Sequence, residues 1–367
     1  MRVVSRVLSL AAATLAGVLF APAQVLPAQS APAQAPAPLR WPVRTVDHVD
    51  LWLHAFALLD SDSSAVPIYR RGYRDSLTVI KKRRNILTAL DGNRDALQRG
   101  LARRGYLDAQ FLAFGFTSWD GMRAVLERFL QLEGDPRRAG DRELSQLMAG
   151  LNGLFPSAAD REWLRLFVAG VQDEYVRFFR AEHAAQLRAR AATITAIDSL
   201  WQQVYRSRFE RFLNNTGQRQ GDVLLTLSLG GEGRTGPGAA GRPMVAVTWP
   251  EQTADAVEVL YVLAHEITGS LVGPVVADNV TPAQQRSGEA ARLVSLAQVR
   301  TGAMLLARVA PELLAGYQRY YLAQAGRARA GDLAGDAVTA AFDAAFPLPA
   351  VIAEALARQV DIVLAGI

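Results

Sequence analysis

The chain has 367 residues, no cysteine and a formal charge of +5, and Lys81 and Lys82 are its only lysines. Without cysteine there are no disulfides, no thiolate catalysis and no lipid-modified cysteine, so a metal site would need His, Asp and Glu. The charge falls to +3 (5 − 2) once Arg2 and Arg6 leave with a leader, too small and too scattered an excess to mark a nucleic-acid partner.

That leader is read from the first residues. Arg2 and Arg6 precede an apolar run over residues 7–20 and the small-residue cleavage site Ala21-Pro22-Ala23, the pattern of a secretory signal peptide over residues 1–23. Residues 24–40 are Ala/Pro-rich and expected to be a disordered linker. The protein is therefore expected to be exported, periplasmic or secreted, with no transmembrane segment in its mature chain.

Residues 41–220 are expected to form a helical N-terminal part. Val49, Trp52, Leu53 and Phe56 recur at helical spacing, and two helices are expected over residues 74–104, broken near Asp91-Gly92-Asn93. Lys81-Lys82-Arg83-Arg84 reads there as a solvated helix face. His54 lies four residues after Asp50; the two are read as polar residues on an amphipathic helix rather than a coordinating pair. Another helix is expected over residues 119–132. Ser157 opens a long one carrying Trp163, Phe167, Val171, Tyr175 and Phe178, and its successor carries Ile197, Trp201, Tyr205, Phe209 and Phe212 as core.

From Gly221 the texture changes. Residues 222–229 and 243–249 read as two strands of a hairpin around a Gly-rich loop. The Gly231, Gly233, Gly236 spacing in that loop opens no helix and so does not make a dinucleotide site. A helix is expected over residues 253–272, stopped by Gly273-Pro274, then helices over 282–299, 302–325, 332–346 and 349–364.

The chemistry concentrates in Ala264-His265-Glu266-Ile267-Thr268-Gly269. In an H-E-x-x-H motif two imidazoles one turn apart grip a zinc ion, and the Glu between them polarises its bound water. Here the position four after His265 is Gly269, which has no ligand to give.

The order of helical part, strand pair, H-E helix and further helices resembles the zincin metallopeptidases. Within them it is similar to the gluzincins, the thermolysin-like division, over roughly residues 245–294. The resemblance implies a mainly α fold with a small β-sheet (α+β), zincin-like from residue 221 to 367. It makes His265 a zinc ligand, Glu266 the general base, and Glu289, within Ser287-Gly288-Glu289-Ala290-Ala291, the third ligand. Tyr317 would be the phenol offered to an oxyanion, although Tyr317, Tyr320 and Tyr321 also fit a packed helix face.

With Gly269 in place, two ligands make a weak site. The resemblance allows zinc; the missing ligand favours none, with His265 and Glu266 kept as a buried hydrogen-bonded pair. The expected function is that of a catalytically impaired or inactive metallopeptidase homologue binding a peptide-like or envelope ligand. One alternative is an active zinc metallopeptidase in which His265, Glu289 and one other group, such as Asp278 or an N-terminal His, hold the metal. Another is a non-enzymatic helical envelope scaffold. A serine hydrolase lacks support, because the chain has no G-x-S-x-G elbow.

Overall fold

The computed structural model describes residues 40–60, 64, 66–104, 106–238, 241–327 and 333–366. The leader and all but the end of the linker lie outside the described residues.

After the short strand β1 (Val43–Arg44), the apolar run of α1 (Asp47–Leu59) is buried almost all round, which makes it the central helix of the N-terminal part. Around it stand α2 (Tyr73–Arg83), α3 (Ala89–Gly92), α4 (Arg94–Arg104), α5 (Trp119–Gln131), α6 (Arg142–Leu154) and α7 (Ala158–Glu174). A 3-10 segment, Tyr106–Gly115, connects α4 to α5. Starts are set by side chains: Ser118 caps α5, Asp141 caps α6, and Ser157 with Asp160 forms a reciprocal capping box on α7. Two long helices contain a π-helical turn. Tyr175–Phe179 leads from α7 into α8 (Arg180–Ala189), and Leu200–Tyr205 leads from α9 (Ala191–Ser199) into α10 (Arg206–Asn215).

The sheet is completed by β2 (Asp222–Thr226), β3 (Arg234–Pro237) and β4 (Pro243–Thr248), in the order β1-β2-β4-β3. β1, β2 and β4 are parallel, and β3 runs antiparallel to β4 at the edge. The expected pairing of residues 222–229 with 243–249 as a hairpin is corrected: those strands are parallel neighbours, Val223 opposite Val245. The hairpin is β3–β4, and β3 comes from the segment read as loop.

Both faces of β2 and β4 are covered, which is why their sequences are continuously apolar rather than alternating. Val223, Leu225, Val245 and Val247 pack with the C-terminal helices, while Leu224 and Ala246 pack with the N-terminal ones. The protein is thus mainly α with a small mixed sheet as its middle layer.

Beyond β4 come α11 (Glu258–Ile267), α12 (Gly269–Asp278), α13 (Pro282–Arg286), α14 (Glu289–Val309), α15 (Leu314–Gln324), α16 (Asp336–Ala345) and α17 (Ala350–Ala365). The single helix expected over residues 253–272 bends by 40° at Thr268, and Gly273-Pro274 lies inside α12 instead of ending it. Among the described residues no single helix is long and apolar enough to cross a membrane.

Candidate functional site

His265 and Glu266 occupy the last turn of α11, both buried. Edge strand β3 and the segment leading into it pass directly over them. A Cβ on Gly233 would lie 2.5 Å from Glu266 Cγ and 2.7 Å from the Ala246 carbonyl, so only glycine allows this approach. The Thr235 hydroxyl donates to Glu266 Oε2 at 2.8 Å, and His265 Nδ1 lies 3.0 Å from Glu266 Oε1. Burial works against the Glu266 charge, but the His265 bond and charge, the Arg234 guanidinium and the Thr235 hydroxyl outweigh it and hold its carboxyl below the usual range.

The His265 ring stacks on Tyr321 with centroids 5.5 Å apart, which fixes its plane. Nδ1 faces Glu266, and the other ring nitrogen, Nε2, is buried with no hydrogen-bonding partner among the described residues. His265 and Glu266 line a cleft of about 540 Å³ together with Thr235, Gly269, Ser295 and Gln298.

The cleft departs from the expected zinc site in two places. Because the chain bends at Thr268, His265 and Gly269 belong to different helices, and the regular i, i+4 alignment is lost. The His265 carbonyl, which a straight helix would commit to the amide of residue 269, accepts instead from Thr268 Oγ1 at 2.8 Å and from Gln298 Nε2 at 3.4 Å. A Cβ at Gly269 would meet Gln298 Nε2 at 3.5 Å, an ordinary contact, so the glycine is not demanded by packing.

Glu289 is not among the residues that line the His265 cleft. It is the exposed first residue of α14, placed there by the left-handed Gly288 (φ 79°) that separates α13 from α14. The α14 residue that meets Gly269 is Gln298, about 13 Å further along and on the opposite side of the helix axis. Among the described residues no group of three or more His, Asp or Glu is placed to hold a metal ion. Tyr317 is buried behind the cleft, its hydroxyl donating to the Val299 carbonyl at 2.7 Å, and Tyr321 donates to the Gly231 carbonyl at 3.0 Å. Both hydroxyls are thus committed inside the fold. Asp278 ends α12, away from the residues that line the cleft.

Thr235, Ser295 and Gln298 were not singled out by sequence. The available signal was the Gly231-Glu232-Gly233 run, whose glycines allow close approach of backbone to another element.

The other histidines are absorbed by the fold. His48 Nε2 lies between the carbonyls of Ala113 and Phe116, at 3.1 and 2.9 Å. His54, with Nδ1 2.8 Å from the Tyr73 hydroxyl, sets Nε2 3.0 Å from Glu174 Oε1. Glu174 Oε2 accepts from Lys81 Nζ and Thr88 Oγ1, each at 2.6 Å. Lys81, expected on a solvated face, is buried and also pairs with Asp91 at 3.0 Å. His183 joins Asp47 at 2.8 Å and faces Asp50 Oδ2 at 3.3 Å, while Asp50 Oδ1 accepts from the Leu227 amide. Burial opposes the His183 charge, but its bonds to Asp47 and Asp50 prevail and raise its pKa to about 9. Asp50 and His54 are therefore not a coordinating pair: each is buried and taken by a different partner.

No protein-family model, no curated protein and no solved structure matches the chain.

Proposed function

We propose that this is an exported protein of zincin-like ancestry that binds a peptide-like ligand in the His265 cleft without hydrolysing it. The observation that carries the reading is the unpartnered Nε2 of His265, buried at a cleft whose neighbouring groups are a hydrogen at Gly269 and an amide at Gln298. Nε2 offers a ligand one unused hydrogen-bonding position, and the hydroxyls and amides of Thr235, Ser270, Ser295 and Gln298 suit the alternating donors and acceptors of a peptide backbone. Hydrolysis is poorly served. A carboxylate held below its usual pKa is a weak general base, and Glu266 is engaged by His265 and Thr235.

The test is the metal content of chelator-washed, zinc-reloaded protein beside Gly269→His and the double variant Gly269→His/Gln298→Glu. Wild type is expected to hold no stoichiometric zinc, and the double variant to gain one equivalent by regaining a His-His-Glu set. One tight zinc in wild type, with peptide hydrolysis abolished by Glu266→Gln, would sink the proposal.

A further inference from the structure

A second cavity lies at the other end of the sheet. The His265 cleft is bordered by Gln218 and Pro243, at the beginnings of β2 and β4. The second, about 170 Å³, is bordered by Leu227 and Glu251, just past the ends of those parallel strands. Crevices beyond the carboxyl ends of parallel strands are where open α/β sheets take ligands.

The cavity has two unlike ends. Leu77, Ile80 and Phe178 make one end apolar. At the other, Arg70 and Arg190 both donate to one oxygen of Glu251, at 3.2 and 3.3 Å. Arg190 is held rigidly: it is buried, its Nε donates to Gln186 Oε1 at 2.9 Å and its NH1 to the Trp249 carbonyl at 2.6 Å. Glu251 is the opposite, with a side chain 64% exposed on the turn after β4. Two guanidinium groups thus share one exposed carboxylate, and the other carboxylate of the lining, Glu182, is paired with Arg84 at 2.9 Å, so the mouth of the pocket carries an excess positive charge. The wall opposite α2 includes the π-helical turn, which carries Phe178 and Phe179 into the lining. Such turns are less stable than α-helix and are found frequently at functional sites.

We propose that this cavity binds a small organic anion, a carboxylate with a short apolar tail, whose head replaces Glu251 between Arg70 and Arg190. The guanidinium pair supplies charge-assisted hydrogen bonds, and the tail lies along Leu77, Ile80 and Phe178. Glu251 is then an internal competitor that fills the site when no ligand is present. This inference does not rest on the His265 reading.

The experiment is calorimetric titration of the whole protein with isovalerate, its amide isovaleramide, and inorganic phosphate. Wild type is expected to bind isovalerate saturably below about 10 mM, and Glu251→Gln to bind it about fivefold more tightly, the worth of the exposed pair removed. Arg190 also holds the Trp249 carbonyl, so Arg70→Gln is the safer loss variant, expected to weaken binding at least about tenfold. Isovaleramide should not bind. An affinity unchanged by Glu251→Gln, or no saturable binding by wild type and Glu251→Gln alike, overturns the proposal. Phosphate binding as strongly as isovalerate overturns the assignment of the apolar end.

Discussion

His54 and His183 in the N-terminal layer and His265 in the C-terminal one are almost equally buried, yet they are treated differently. His54 bonds through both ring nitrogens, to Tyr73 and Glu174; His183 pairs with Asp47, and its Nε2, without a hydrogen bond of its own, sits 3.3 Å from the Asp50 carboxylate. His265 has one engaged nitrogen and one with neither a hydrogen bond nor a facing carboxylate among the described residues. A closed network of buried charges ties elements together, and removing one member strands the rest. An imidazole left half satisfied at a cleft adds less to stability and keeps bonding capacity for something outside the chain. Burial alone does not distinguish these histidines; what their ring nitrogens face does.

The sharpest way to break that contrast is at Glu174, which holds His54, Lys81 and Thr88 together. Glu174→Ala should lower unfolding free energy in urea by about 3–5 kcal/mol, since it leaves a buried ammonium short of its partner. A cost near that of a surface substitution would mean the network does not bind the layer together.

Next in size is a pH effect from His183. Its pKa is raised to about 9 from 6.5, so the stabilisation is complete below about pH 6.5 and is lost as pH rises through about 9. Wild-type stability should therefore fall by on the order of 2 kcal/mol between pH 7 and pH 10, and His183→Gln should flatten that part of the profile. Equal slopes in the two proteins would remove His183 as its source.

The smallest effect sharpens the comparison from the other side. His265→Gln is expected to cost only about 1 kcal/mol in the same urea titration, less than His54→Gln, because just one hydrogen bond is lost. A larger loss at His265 than at His54 would reverse the assignment of which histidine is structural.

Much of the architecture was legible before any coordinates. Ser157 marked a helix start, and Trp163, Phe167 and Val171 marked a buried face, because capping and helical period are local properties. Strand pairing was not legible. β2 and β4 are buried on both faces, so their patterns do not say which partner lies alongside or in which direction. The candidate site was half legible. His265, Glu266 and Gly269 do share a cleft, but the residue opposite them is Gln298, whose place depends on the Thr268 bend and the left-handed Gly288 together.

The π-helical turn at Tyr175–Phe179 bears on which changes in length this chain can accept. A π turn is an α-helix with one residue too many, and deleting that residue would restore ordinary pitch. Everything beyond it would then rotate by about 100° around the helix axis. His183 would leave Asp47 and Asp50, and Arg190 would leave the Trp249 carbonyl, although no residue that makes those bonds had been altered. Along this helix the chain should tolerate changes of letter far better than a change of count, and a one-residue deletion there should be more damaging than most substitutions within it.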